Sequence, residues 1–396
     1  MDFTLSDEQR MMQDSVRDLL AAECTVPQLR KLLDAGKTRD EARWKKLFEL
    51  GLGGVLADAE VGGLDLREID FALVAEECGR ALLPEPLVEQ AGIAVPLLAA
   101  ALNPSPAPRE REGPTKWEGE GRAASQTEGR LRASPSSGSL RSPPSPAVQE
   151  KGLHAALSGE TTIAIGHPAN PFVVGADTAD LLLLPHDDEV HLVPRRDVEL
   201  TPQPGIDPFR RLFRVDWNPT SATCIAEAGA WPAAFERGAL FAAAQGLGIA
   251  ERAIEIATSY AQERQQFGKP IGSYQAIKHA LATVQVKIAF ARPVVYAATE
   301  LFWGDDPRSQ TRVSHAKLAA LDAADLACRT AIQVHGAMGY SWETDVHFYL
   351  KRALALAGAW GDRSFHRKRV AHHLFQTDLP LGPDQTFILK GDHHAA

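Results

Sequence analysis

Between about Gly229 and Phe375 apolar residues recur every three or four positions, as in Leu240, Ala244, Leu247, Ala250 and Ile254. That is the period of a helix with one buried face. The pattern predicts four long helices, over 231–264, 273–303, 308–334 and 346–374. The breaks between them are short, so neighbouring helices must run antiparallel and bury their faces in one another. A C-terminal four-helix bundle is therefore expected over 229–396, with a disordered tail that includes His393 and His394.

The remaining chain divides by composition. Residues 1–102 predict an N-terminal helical domain. Ser6 and Gln9 have the spacing of a capping box before Met11, Val16, Leu19 and Leu20. Further helices are expected over 40–51 and 66–83, with Gly51–Gly54 and Gly62-Gly63 as turns and an apolar helix after Pro84 and Pro86 running to about Leu102. Residues 103–150 are rich in Pro, Ser, Gly, Arg and Glu and nearly lack aliphatic side chains. Such a stretch cannot bury enough apolar surface to offset chain entropy, so it reads as a disordered insert. From 151 to 228 the runs TTIAIGH, ADLLLLP, EVHLVP and LFRVDW predict a small β domain. The fold class is mainly α with a small middle β domain.

Composition excludes several functions. A net charge of −9 argues against a general nucleic-acid binder. No apolar run approaches the roughly twenty residues that span a bilayer, and the N-terminus is acidic and amphipathic rather than signal-like. Cys24, Cys78, Cys224 and Cys328 are far apart, which suggests reduced thiols and a cytoplasmic location. No metal site is expected. His366, His372 and His373 lie on the basic segment RSFHRKRVAHHLF without a thiol or carboxylate at ligand spacing, and read as a solvated face.

Two segments carry chemistry. In SYAQERQQFGKPIGSYQAIKHALA, Arg264 closes a helix, Phe267-Gly268 forms a turn, and Gln275 begins the next helix. A guanidinium at a turn can clamp a diphosphate, a neighbouring Phe can stack on a ring, and a Gln can read a polar edge. The competing assignment is a solvated Arg beside a Phe packed in the core. In AIQVHGAMGYSWETDVHFYLKRA, a helix carrying Gln333 and His335 ends into Gly336 and Gly339. Glycines there permit a ligand to approach the backbone, or serve only as a helix cap.

Together these segments, the opening FTLSDEQRMMQDSVRDLL, the stretch LGLGGVLADAEVGGLDL and the domain order resemble the acyl-CoA dehydrogenase family over most of the chain. The resemblance implies FAD-dependent α,β-dehydrogenation of an acyl-CoA thioester. A carboxylate would take the α proton while the β hydride passes to the flavin, in a site that excludes water. It implies that Arg264, Phe267 and Gln275 contact an FAD bound mainly by a neighbouring subunit. Gln333 and the backbone of His335, Gly336 and Ala337 would hold the adenine-diphosphate part of the same FAD. It further implies a tetramer and an electron-transfer flavoprotein as acceptor.

The sequence departs from the family in two places. Aligned from His335, the position that many members give to the catalytic Glu holds Trp360, followed by Gly361-Asp362. A second family position for the base falls on Gln245. Glu236 is the remaining candidate base, matching only with a shift of two residues, and it otherwise reads as a solvated charge. The family loop that lies along a subunit's own flavin ring is also missing, since Ala164–Pro168 runs straight into Asn170–Val173. The pattern suggests an alternative to a self-sufficient enzyme. The chain would be a non-catalytic partner in a heterotetramer, completing the FAD site of a catalytic chain, as in bacterial members acting on steroid side-chain CoA thioesters.

Overall fold

The computed structural model describes residues 4–102, 146–226, 229–302 and 307–376. The expected insert (almost all of it) and the expected disordered tail lie outside the described residues.

The N-terminal helices are α1 (Asp7–Glu23), α2 (Val26–Asp34), α3 (Glu41–Glu49), α4 (Glu68–Arg80), α5 (Leu87–Glu89) and α6 (Val95–Leu102). The capping box is present: Gln9 N–H donates to Ser6 Oγ at 3.1 Å, and Ser6 N–H donates to Gln9 Oε1 at 3.0 Å. Helix α2 was not expected. It is short and starts with Pro27 in its first turn, as helices tolerate. Helix α7 (Pro146–Leu157) precedes the strands, so β structure begins later than residue 151.

The strands are β1 (Ile163–Ile165), β2 (Val173–Val174), β3 (Leu181–His186), β4 (Glu189–Pro194), β5 (Val198–Gln203), β6 (Leu212–Trp217) and β7 (Cys224–Ala226). They form one sheet in the order β1-β3-β4-β7 and another in the order β2-β6-β5. Leu182, Leu184 and Val193 of the first sheet share an apolar cluster with Val173 and Phe213 of the second. Gln90 ties this β region to the helices. Its side-chain N–H groups donate to Ala156 and Thr161 carbonyls at 2.9 and 3.0 Å, and its Oε1 accepts from Ile163 N–H at 3.0 Å.

The bundle is α8 (Trp231–Glu263), α9 (Gln275–Glu300), α10 (Pro307–His335), α11 (Val346–Gly358) and α12 (Arg363–Gln376). A two-residue-per-strand hairpin, β8 (Gln265–Gln266) and β9 (Lys269–Pro270), joins α8 to α9. Helix α8 runs through the centre, against α4, α9 and α10. Its crossing with α4 is close enough that a Cβ on Gly248 would lie 1.9 Å from the Glu76 carbonyl. The helix expected over 346–374 is in fact two. Trp360 and Gly361 adopt φ of +55° and +83°, conformations that no continuous right-handed helix contains.

Candidate functional site

The segment around Arg264 forms an exposed tip. Arg264 closes α8, its N–H bonded to the Tyr260 carbonyl at 2.8 Å. Phe267 and Gly268 both have positive φ, +53° and +80°, the geometry of the tight hairpin turn whose twist matches its strands. Phe267 is 92% exposed, so it is not packed in the core. A non-glycine residue kept left-handed costs of order 1 kcal/mol, and such strain concentrates at binding sites. Gln275 opens α9 and is exposed as well.

The second segment lies at the same end of the bundle, because α8 and α10 both end there and α9 begins there. His335 is buried and stacks on Tyr260, with ring centroids 4.1 Å apart and planes inclined by 19°. Its Nδ1 lies 2.7 Å from the Ala331 carbonyl. Tyr260 sits one turn before Arg264, so this stack couples the two segments. Gln333, Gly336 and Ala337 are exposed. Gly336 has φ +62°, and no atom lies within 4 Å of where its Cβ would be. An extended anionic ligand could run past that backbone. Tyr340 and Trp342 stand exposed just beyond it.

The region around Trp360 is closed. The indole is 5% exposed and lies on α8 over Gly238, where a Cβ would come within 2.2 Å of the ring. His167 packs against the rings of Trp231, Phe235 and Trp360, at centroid distances of 5.3, 5.4 and 5.4 Å. Burial among them pushes the His167 imidazole down to about 4. Asn170 Oδ1 accepts the Trp360 N–H at 2.8 Å. Asn170, in the segment after β1, thus ties down the backbone that carries the indole.

The carbonyls around the kink are satisfied from below. Lys317 Nζ donates to Ala359, Trp360 and Gly361 carbonyls, an ammonium's three N–H groups matched to three acceptors. His366 Nε2 lies 2.9 Å from the Trp360 carbonyl and its Nδ1 2.9 Å from Ser314 Oγ. His366 is therefore buried, not on a solvated face as its basic segment suggested. Burial first, and then the nearby Lys317 charge, push it down to about 3.

No carboxylate is poised beside the indole among the described residues. Glu236 is not a solvated charge: it is 2% exposed, and both its oxygens accept from Arg369, at 2.6 and 2.8 Å. Burial raises its pKa, with Arg369 opposing that shift. It is two residues from Gly238, a turn of about 200° around α8, and its partner Arg369 also donates to Ser314 Oγ. Asp362 is exposed and accepts the Phe365 N–H at 2.7 Å at the start of α12. Gln245 is buried where α8 crosses α4. Two surface clefts of about 580 and 570 Å³ lie elsewhere, one beside Gln9, Arg67 and Glu300, the other beside Arg39, Thr178 and Arg211.

The exposed half would fit an FAD that another chain holds by its ring: a cation, an exposed aromatic, a polar side chain and an open glycine line one end of the bundle. The Trp360 half does not fit a flavin ring, because aromatic side chains fill it.

Comparison with known proteins gives a consistent result. Residues 6–102 match the family model described as acyl-CoA dehydrogenase, N-terminal domain, and residues 231–375 match acyl-CoA dehydrogenase, C-terminal domain. The chain is 29% identical over 351 residues to acyl-CoA dehydrogenase IpdE2 of Mycobacterium tuberculosis, covering 88% of this chain and 92% of that protein. It is 26% identical over 373 residues to IpdE2 of Mycolicibacterium smegmatis, covering 94% and 100%. A chain of the ChsE4-ChsE5 complex from Mycobacterium tuberculosis shares the fold with a TM-score of 0.75 at 22% identity, covering 95% of this chain and 100% of that one. Glutaryl-coenzyme A dehydrogenase with glutaryl-CoA shares it with a TM-score of 0.74 at 20% identity, covering 95% and 97%.

Proposed function

The chain belongs to the acyl-CoA dehydrogenase family, and on that premise we propose that it is the non-catalytic subunit of an FAD-dependent acyl-CoA dehydrogenase. It completes a partner chain's FAD site and keeps its own site closed. The observation that carries this reading is Trp360, an indole packed on Gly238 where a proton-accepting carboxylate would be needed. An indole N–H donates and cannot take a proton at neutral pH.

In the assembled enzyme, bound FAD would accept hydride in the α,β-dehydrogenation of an acyl-CoA thioester. This chain's part is to bind and orient. Arg264 supplies positive charge at the diphosphate, Phe267 a ring face, and Gln275 a polar edge. Gln333 and the His335–Ala337 backbone line the adenine side. The His335–Tyr260 stack fixes the two segments relative to one another. A heterotetramer with a catalytic dehydrogenase chain fits the exposed apolar side chains on α9, Val286 and Phe290, one turn apart. The fold likeness to a chain of the ChsE4-ChsE5 complex is in keeping with assembly from different chains. Electrons would leave to an electron-transfer flavoprotein, as in the family.

The test is flavin content and turnover of the purified chain, alone and co-expressed with a dehydrogenase chain carrying a catalytic Glu. The expected result is flavin and acyl-CoA oxidation only in the complex, with flavin lost from the complex on Arg264→Ala. Stoichiometric flavin and turnover in this chain alone would overturn the reading.

A further inference from the structure

Strand pairing gathers three side chains that no spacing along the chain links. His191 of β4 and Cys224 of β7 are register partners in the antiparallel pair. Glu189 lies two residues before His191 on the same strand, a spacing that favours one sheet face. One ligand atom from each of Glu189, His191 and Cys224 lies within 4.8 Å of the other two. His186 pairs with Glu189 across β3 and β4, its ring centroid 6.0 Å from that of His191. The Trp217 ring covers them, at 5.1 Å from His191 and 6.3 Å from His186.

Both nitrogens of the His191 imidazole have partners. The Thr223 hydroxyl donates its one proton to the Thr220 carbonyl at 2.9 Å. His191 Nδ1 lies 3.0 Å from Thr223 Oγ1, placed to donate its N–H there when a metal takes Nε2. Nε2 faces Glu189 Oε2 at 3.2 Å. In the metal-free chain a proton on Nε2 bridges this pair, and a cation bound by both groups would take that proton's place. The Cys224 sulfur, now 3.6 Å from the Ala226 carbonyl, brings a third donor to the same place.

We propose that Glu189, His191 and Cys224 bind one zinc-type divalent cation, with water or His186 in the fourth position. A mixed sulfur, nitrogen and oxygen donor set suits zinc, whereas magnesium and calcium take oxygen ligands. Thr223 is the outer partner that orients the ligating imidazole. Binding releases the thiol proton as the Zn–S bond forms. The Glu189 carbonyl also accepts from Trp231 Nε1 at 3.1 Å, so the ion would brace the start of α8 beside the closed aromatic cluster.

The experiment is titration of the full chain, stripped by chelator, with Zn²⁺ and Co²⁺. One equivalent should bind, Co²⁺ should give a thiolate charge-transfer band, and Zn²⁺ should raise the melting temperature. Cys224→Ser should abolish the band and weaken Zn²⁺ binding at least about tenfold. Glu189→Gln, at a partly exposed position, should weaken binding while leaving the metal-free melting temperature unchanged. No stoichiometric binding overturns the proposal. So does binding that survives both His191→Asn and Cys224→Ser, which would assign the metal to histidines elsewhere. Because Glu189→Gln needs no refolding of the sheet, it decides the matter even if Cys224→Ser does not fold.

Discussion

Trp360 and Gly238 should be coupled strongly enough to reverse the sign of a mutation. Trp360 is 5% exposed, and truncating a buried Trp to Ala costs about 3–5 kcal/mol. A methyl at Gly238 would meet indole atoms at 2.2, 2.5 and 2.6 Å, so Gly238→Ala alone should destabilise by about 1–3 kcal/mol through overpacking. In Trp360→Ala the obstacle is gone. There the methyl added by Gly238→Ala fills part of the cavity, and the helix gains about 1 kcal/mol of propensity over Gly. Gly238→Ala should then stabilise by about 1 kcal/mol or more, a coupling of at least about 2 kcal/mol against the single mutants. Trp360→Gly should cost about 1 kcal/mol less than Trp360→Ala, because φ at 360 is +55°. Urea unfolding followed by far-ultraviolet circular dichroism reads all of these, provided the m values agree. If Gly238→Ala has the same sign in both backgrounds, or Trp360→Ala costs under about 1 kcal/mol against the range expected for a buried Trp, the indole does not fill the space as argued.

Two further perturbations test the surroundings. His167 and His366 are held near 4 and 3 by burial, against an ordinary value of 6.5. Between those limits these two imidazoles bind more protons in the unfolded chain than in the folded one, so their contribution to stability is full above about pH 6.5 and falls as pH drops toward 4. Each group contributes a slope of up to about 1.4 kcal/mol per pH unit. Glu76, raised to about 7 by burial, contributes the opposite slope over the same range. The wild-type profile less that of His366→Asn, read from urea midpoints between about pH 7.5 and 4.5, should therefore show the histidine slope, and a profile unchanged in His366→Asn would contradict the assignment. Glu236→Gln leaves the Arg369 guanidinium without its buried counter-charge, which should cost about 3 kcal/mol. Turnover per bound flavin in the assembled enzyme should not change, and loss of turnover at full flavin occupancy would identify Glu236 as a base.

The bundle was legible because its signals are local. Leu240, Leu247 and Ile254 mark the buried stripe of α8 directly, and Phe267-Gly268 is a turn pair within one hairpin. The local placement of Arg264, Phe267 and Gln275 was legible for the same reason, since they span one helix end, one turn and one helix start. What sequence missed depends on contacts distant in the chain. The kink at Trp360 is held by Asn170 and Lys317, and no local breaker stronger than Gly361 announces it. His366 sits in a run of basic residues, yet Ser314 and the Trp360 carbonyl take both its nitrogens. Glu236 looked solvated because Arg369 lies far along the chain. The Glu189, His191 and Cys224 cluster exists only through the pairing of β4 with β7.

On the proposed reading, a closed site would let the chain fold without a cofactor of its own. A ligand bound only by the folded state adds RT ln(1 + [L]/Kd), about 4 kcal/mol when present at a thousand times its Kd. A chain that lost its ring site and left the space empty would forgo that and carry a cavity as well. The buried indole contributes a stabilisation of the same order, about 3–5 kcal/mol, from within the chain. The Trp360 and Gly361 carbonyls are already met by Lys317 and His366. The chain alone should therefore be fully folded in the absence of flavin, and excess FAD should leave its melting temperature unchanged. On the proposed reading the same FAD should raise the melting temperature of the complex, where the exposed Arg264 and Gly336 segments would meet a flavin held from the other side. Scanning calorimetry of the chain and of the complex, each with and without FAD, separates these cases. A rise in the chain alone would mean that it holds flavin without a partner, and that the indole does not close the site.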